Sequence, residues 1–317
     1  MRIGYFLACE EFTPAELLDQ AQMAQRAGFQ ALWISDHYHP WIDAQGQSPF
    51  VWSMIGALSQ VCELPVTTAV TCPIMRIHPA IVAQAAATSA VLHPGRFVLG
   101  LGTGEALNEH ILGDPWPRAE VRLAMLEEAV DLMRRLWDGG FVDHDGDYYT
   151  VENARIYTRP DQPVPVYLSG FGPKSVELAG RIADGFISTR PDGDAVARFR
   201  EAGGGDKPAQ GGFKACYAET EDEGVRIAHE RWPSSGVPGE LNQVLPSPRH
   251  FEQASQLVTP EMTRKHFVCG KDPEPHLEQI DTYAKAGFTE VYVANTGPNQ
   301  RGFFDLYQNH VLPSIVD

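Results

Sequence analysis

The stretch RIGYFLACEEFTPAELLDQAQMAQRAGFQALWI, residues Arg2–Ile34, decides how the rest of the chain is read. Arg2–Leu7 and Ala31–Ile34 are short runs rich in β-branched and aromatic residues, as strands are. Between them, Pro14–Ala27 spaces its apolar residues as an amphipathic helix does. The pattern is strand, helix, strand, and it recurs outward. The second helix is Phe50–Gln60, and Pro65–Val70 is followed by Pro79–Leu92. Phe97–Gly100 precedes Val121–Trp137, Val166–Leu168 precedes Lys174–Ala183, and Phe186–Ser188 precedes a helix near Asp194–Arg200. Phe213–Ala218 then leads to Asp222–Arg231, and Glu290–Ala294 to Phe303–Val311. Eight such units close a barrel, whereas a doubly wound sheet uses five or six strands. The predicted fold is α/β: one (β/α)8 TIM-barrel domain over residues 1–317, with insertions at the C-terminal face of the strands.

Three stretches stand outside the alternation. Asp138–Arg159 reads as a hairpin around HDGD, and Glu201–Gly212 as a glycine-rich loop. Pro233–Phe267 reads as an insertion that ends in a helical pattern, precedes a helix at Pro275–Ala286, and can cover the strand ends as a lid. With 317 residues and 43% hydrophobic content, the chain can bury its core without a disulfide or a structural metal. Its 41 acidic against 25 basic residues give a formal charge of −16, which argues against nucleic-acid or anionic-membrane partners. An anionic small molecule is still admissible, because local cations and helix N-termini override the average field. The five scattered cysteines have no CxxC spacing and point to a reducing cytoplasm, and no segment has the apolar length of a membrane span.

Residues just after barrel strands line the catalytic face. Here they are strongly polar: Glu10 after the first strand, Ser35, Asp36, His37, Tyr38, His39 and Trp41 after the second, Thr71 and Cys72 after the third. Thr103, Glu105, Asn108 and Glu109 follow the fourth, Ser169 and Gly170 the fifth, Thr189 and Arg190 the sixth, and Asn295 the eighth. A histidine beside a carboxylate, as in Asp36–His37, suits a general base near neutrality. His37-x-His39 lacks a third ligand at regular spacing, so no metal is expected. GLGTGEALNE, Gly100–Glu109, is not a GxGxxG fingerprint, yet its glycines allow the backbone to approach a flat ligand closely and put Glu105 at the centre of a strand end. SGFGPKS, Ser169–Ser175, places glycines before a helix start that can hold a phosphate.

WISDHYHPW, TAVTCPIMRIHPAIVAQAAAT, GLGTGEALNE, GDYY and VPVYLSGFGP, in this order, resemble the deazaflavin-dependent glucose-6-phosphate dehydrogenases of the luciferase-like superfamily. The resemblance runs to RGFFDLYQNHVLP and is weakest in Pro191–Pro248. It implies a homodimeric barrel that binds coenzyme F420 at its C-terminal face. Asp36 would contact the deazaflavin, Thr103, Gly104 and Asn108 its tail, and Gly170 and Phe171 its phosphate. A non-prolyl cis peptide would fall at Ala69–Val70, and Cys72 stands where the family carries a cofactor-contacting threonine. The matched catalytic residues are His37 and Glu105, with Trp41 and Glu10 beside the substrate; which of His37 and Glu105 is base or acid is left open.

The family's sugar-phosphate clamp is a threonine, two lysines and an arginine. The threonine matches Thr189, but the lysine positions read Asp192 and Asn242, and the arginine falls at Lys265 or His266. Losing two charge-assisted contacts of roughly 1.5–3 kcal/mol each argues against glucose 6-phosphate in the family's pose. Arg190, Lys265 and Arg249 are the cations available to rebuild a clamp. The expected activity is hydride transfer between C5 of the deazaflavin and a hydroxyl-bearing carbon, on a sugar phosphate or on a neutral secondary alcohol. A flavin-dependent monooxygenase and a non-catalytic flavin- or deazaflavin-binding barrel are the alternatives.

Overall fold

The computed structural model describes residues 1–315; residues 316 and 317, part of the expected single domain, lie outside them. In chain order the strands and helices are β1 (Arg2–Leu7), α1 (Pro14–Ala27), β2 (Leu32–Ile34), α2 (Val51–Leu58), β3 (Val66–Thr68), α3 (Pro79–Leu92), β4 (Phe97–Leu101), α4 (Ala106–Glu109), α5 (Ala119–Asp138), β5 (Val142–Asp145), β6 (Thr150–Ala154), β7 (Val166–Ser169), α6 (Pro173–Ile182), β8 (Gly185–Ser188), α7 (Gly193–Phe199), β9 (Ala209–Cys216), α8 (Glu221–Arg231), α9 (Leu241–Val244), α10 (Pro248–Ser255), α11 (Pro260–Arg264), β10 (Phe267–Cys269), α12 (Pro273–Lys285), β11 (Glu290–Asn295) and α13 (Gln300–Leu306). Eight parallel strands close in the order β1, β2, β3, β4, β7, β8, β9, β11 and back to β1. Closure leaves no edge, and the helices cover the outside.

Alternation along each strand sorts side chains. Ile3, Tyr5 and Leu7 join the layer between barrel and helices, whereas Trp33, Tyr167, Ile187 and Tyr292 fill the interior with Phe6 packed against them. The Trp33 and Tyr292 rings stack at 4.4 Å, and a Cβ on Gly4 or Gly212 would fall 2.2 or 2.3 Å from one of them. Two strand glycines are therefore the counterpart of two interior aromatic rings.

This corrects one expectation. Glu201–Gly212 is not wholly a loop: β9 already begins at Ala209, and Gly211 and Gly212 lie within it because the rings of Tyr283 and Trp33 occupy the space of their side chains. The hairpin expected around HDGD is β5–β6. The insertion after α8 holds a 3-10 turn and three short helices, α9–α11. It ends in β10, absent from the sequence reading, which lengthens the sheet beside the outer half of β9 (Phe267 opposite Lys214, Cys269 opposite Cys216). α1 is delimited by local chemistry: Thr13 and Glu16 form a reciprocal capping box, and Gly28 closes the helix at φ 95°.

Candidate active site

His37 leaves β2 into the barrel mouth, and its ring is held on three sides. Nε2 lies 3.4 Å from Glu10 Oε1. Nδ1 lies 3.1 Å from the His39 carbonyl oxygen and 3.1 Å from Asn108 Nδ2. The Asn108 amide has a fixed orientation, because its Oδ1 accepts from the backbone N–H groups of Tyr38 and His39 at 2.9 and 3.1 Å. Its Nδ2 therefore faces both His37 and Glu105 Oε2, the latter at 3.4 Å. Glu10, buried, accepts from Ser35 Oγ at 2.7 Å, and Ser35 Oγ accepts from the Cys9 N–H at 2.9 Å. Trp41 closes the opposite side, its ring 5.0 Å from that of His37 and edge-on to Phe251 of α10 at 5.1 Å. Glu10, His37, Trp41 and Glu105, expected from four separate positions in the sequence, thus gather around one space, and the insertion supplies its far wall. His39 is turned away, with Nδ1 3.0 Å from the Leu107 carbonyl oxygen, which ties its loop to α4.

Asp36 is also buried, its Oδ2 accepting from Thr71 Oγ1 and its Oδ1 from Arg76 Nη2, at 2.8 and 2.9 Å. Arg76 reaches Glu109 as well. The cis peptide lies at Ala69–Val70, as expected. Cys72 packs against Gly104, whose φ of +70° and missing Cβ (2.6 Å from Cys72 Sγ if present) demand glycine there. Burial, then the Glu109 carboxylate, push the Cys72 thiol well above its usual range, so it stays protonated. The hydroxyl facing Asp36 comes from Thr71, next to it. Thr103 and Gly104 follow β4, between it and α4. Gly170 and Phe171 follow β7 just before the start of α6, and Arg190 lies over the exposed Phe171 ring at 5.1 Å.

The substrate side holds a residue missed in the sequence. Gln210, Gly212 and Lys214 alternate along the inner face of β9, so Lys214 points into the mouth. Its ammonium lies 4.7 Å from the Trp232 ring centre. Burial lowers its proton affinity, and Glu10 is the acidic group that raises it again. His266 is held below its usual value by burial and then by Lys214, Arg190 and Lys265, so a neutral imidazole stands among three cations. Period-two polarity over 210–214 was the available signal, hidden when the strand was begun at Phe213.

The clamp positions have local explanations. Asp192 caps α7, its carboxylate accepting from the Ala195 N–H at 3.0 Å. Asn242 lies in α9 beside Gln243, which accepts from Arg122 Nη2 at 3.1 Å. Thr189 and Arg190 are exposed after β8, and the Thr189 carbonyl oxygen accepts from Tyr283 Oη at 3.0 Å.

The chain is similar to known proteins over its whole length. The family model described as luciferase-like monooxygenase matches residues 1–290. The F420-dependent glucose-6-phosphate dehydrogenase of Microbacterium testaceum (strain StLB037) is 34% identical over 332 residues, covering 99% of this chain and 97% of that protein. The enzyme of the same name from Mycobacterium tuberculosis (strain ATCC 25618 / H37Rv) is 34% identical over 333 residues, covering 99% and 98%. Among solved structures, an F420-dependent secondary alcohol dehydrogenase in complex with an F420–acetone adduct superposes with a TM-score of 0.92 at 32% identity, covering 100% of this chain and 99% of that one.

Proposed function

This chain belongs to the luciferase-like family and, within it, to the F420-dependent glucose-6-phosphate dehydrogenases; on that premise we propose that it is an F420-dependent oxidoreductase acting on a hydroxyl-bearing carbon. The observation that carries the reading is His37 held between Glu10 and Asn108, with Glu105 beside the same amide. The donor set fits a deazaflavin: Asp36 and Glu105 as acceptors, the Asn108 amide as donor, and free N–H groups at the start of α6, beyond Gly170 and Phe171, for its phosphate. Bound there, the deazaflavin would supply C5 as hydride acceptor or donor.

The residues divide the proton work. In the neutral tautomer with Nδ1–H donated to the His39 carbonyl, Nε2 carries its lone pair beside the Glu10 carboxylate and takes the substrate hydroxyl proton. The resulting imidazolium is stabilised by Glu10 at Nε2 and the His39 carbonyl at Nδ1. Glu105, accepting from the Asn108 amide, is the carboxyl placed to exchange a proton with the pyrimidine edge of the ring. Trp41 and Phe251 exclude water. A reductase would use the same groups in reverse.

The substrate we infer is a phosphorylated polyol or sugar whose anionic group meets the cations Arg190, Lys214 and Lys265, with the His266 imidazole beside them, in place of the family's clamp. One observation favours a neutral secondary alcohol instead: Asp192 is committed to capping α7 and puts a carboxylate at a clamp position. Loss of F420 absorbance, followed with glucose 6-phosphate, glucose and 2-propanol, tests both. Turnover of the phosphorylated sugar alone supports the first, and turnover of 2-propanol alone supports the second. Oxygen uptake with reduced flavin, and no reaction of F420, would remove the proposal in favour of a monooxygenase; binding of F420 without turnover of any substrate would favour a non-catalytic barrel.

We also infer a homodimer through the uncharged α2–α3 face, where Phe50, Ile81, Val91 and Leu92 are exposed. The reading includes a cytoplasmic location, supported by five free buried cysteines. Among the described residues no helix is long and apolar enough to cross a membrane.

A further inference from the structure

Arg76 is the only Lys, Arg, Asp or Glu between Glu63 and Arg96. Its side chain is 6% exposed, and it bridges two carboxylates whose side chains are 1% exposed each. Nη2 donates to Asp36 Oδ1 at 2.9 Å, Nε to Glu109 Oε1 at 3.4 Å, and the Arg76 backbone N–H to Glu109 Oε2 at 2.9 Å. These bonds join three strand-end segments. Asp36 follows β2 and precedes His37; Arg76 lies in the loop after β3; Glu109 ends α4, the turn of helix that carries Glu105 and Asn108. A hydrophobic trio would hold three loops together as well or better, because desolvation cancels most of what a buried ion pair gains. One guanidinium serving two buried carboxyls cannot neutralise both, and burial pushes Glu109 up to about 7 against its pull, a poor device for stability alone.

We propose that Arg76 and Glu109 are positioning residues for the cofactor: the guanidinium fixes the Asp36 carboxylate and, through Glu109, the helix bearing Glu105 and Asn108, so that the deazaflavin seat is formed before binding. The inference rests on the F420 reading above. Arg76 has the required shape, since a planar fork reaches two carboxylates from one point and a lysine ammonium does not. Thr71, on the same loop, orients the other oxygen of Asp36. Neither Arg76 nor Glu109 needs to touch the ring; their effect passes through Asp36, Glu105 and Asn108.

The test is the dissociation constant of oxidised coenzyme F420, read from its own fluorescence, for the full-length protein and for Arg76→Lys, Glu109→Gln, Asp36→Asn and the double variant Arg76→Lys/Asp36→Asn. Circular dichroism and urea unfolding identify the folded variants. Arg76→Lys is expected to weaken binding about 10-fold or more and Glu109→Gln about 3- to 10-fold, the range of a lost buried charge contact. The double variant should bind within about 3-fold of the weaker single one, because both changes disable one arrangement. A folded Arg76→Lys that binds F420 as tightly as the parent, or losses that multiply in the double variant, would overturn the proposal. If Arg76→Lys does not fold, a folded Glu109→Gln with parental affinity overturns it. Failure of the parent protein to bind F420 removes the cofactor reading and this inference with it; parental binding with indifferent variants removes this inference alone.

Discussion

At the scale of single residues the site is a set of hydrogen bonds with fixed directions. Two backbone N–H donors orient the Asn108 amide, which then donates to His37 Nδ1 in one tautomer and yields to the His39 carbonyl in the other. His37→Ala is expected to lower kcat by about 100- to 10,000-fold, the usual share of general acid–base catalysis, while the F420 dissociation constant, measured by fluorescence, stays within about 3-fold. Unchanged turnover would take His37 out of the mechanism. Glu109 makes a pH prediction. Burial pushes its carboxyl up to about 7 against the opposing pull of Arg76. A carboxyl raised in the folded state adds stability below its unfolded value, and that stability is lost as pH rises through the folded one. The parent protein should therefore lose on the order of 3 kcal/mol relative to Glu109→Gln between about pH 4.5 and 7.5, measured by urea unfolding of both across that range. A pH-independent difference would show that Glu109 is ionised throughout.

At the scale of elements, the insertion after α8 is attached where the chemistry needs it. Its point of departure is fixed by Glu11, which accepts from Nε1 of Trp232, the residue just before it, at 2.7 Å and from the Gly297 N–H at 2.8 Å, with Arg231, at the end of α8, 3.4 Å away. Its middle is fixed by Phe251, fully buried among Trp41, Ile42, Leu107 and Leu245. Phe251→Ala is expected to raise the substrate KM about 10-fold through loss of the wall behind Trp41, and to cost about 3 kcal/mol or more in unfolding because the site cannot collapse fully. A normal KM would mean that the wall does not face substrate. α12 is tied to the C-terminal segment by His276 Nδ1 and Tyr307 Oη at 3.0 Å, and burial lowers the His276 imidazole to about 4. The sign is opposite to that of Glu109: stability is full above about pH 6.5 and falls as pH drops towards 4, so His276→Gln should remove on the order of 3 kcal/mol of that acid loss. Strand ends were legible in the sequence because each alternating unit ends in a run of polar residues, which put Glu10, His37, Trp41 and Glu105 on one face. Partners that act from the side were not. Arg76 lay in a loop with no period to flag it, and Lys214 was hidden because Gly211 and Gly212 read as loop, when the rings of Tyr283 and Trp33 are what require them.

At the scale of the molecule, barrel closure was legible because the count of alternating units, and not their exact ends, decides it. β10 was not, since three residues carry too little pattern to be told from the end of the insertion. What closure leaves unexplained is the outer surface of α2 and α3. A helix on the outside of a barrel normally carries charge on its solvent face, yet neither Val51–Leu58 nor Pro79–Leu92 has one charged residue, in a chain with 41 acidic and 25 basic residues. Ile81 and Phe50 are more than half exposed there, beside a cavity of about 290 Å³ lined by Trp52, Gly56, Ile81, Gln84, Ala85, Thr88, Ser89 and Leu92. An uncharged surface on a strongly charged protein fits a second copy of itself, because two such faces meet without burying like charges. Ile81→Glu would place two carboxylates at that meeting, and its own fold should tolerate the change, since the side chain is 57% exposed. Light scattering behind size-exclusion chromatography should then give twice the 35.0 kDa chain mass for the parent and the single mass for Ile81→Glu. A parent eluting as a monomer would remove the dimer, and a variant that is still a dimer would put its interface elsewhere. Since the mouth is built from one chain's strand ends, F420 affinity should be the same in both forms to within about 2-fold, which separates assembly from the site.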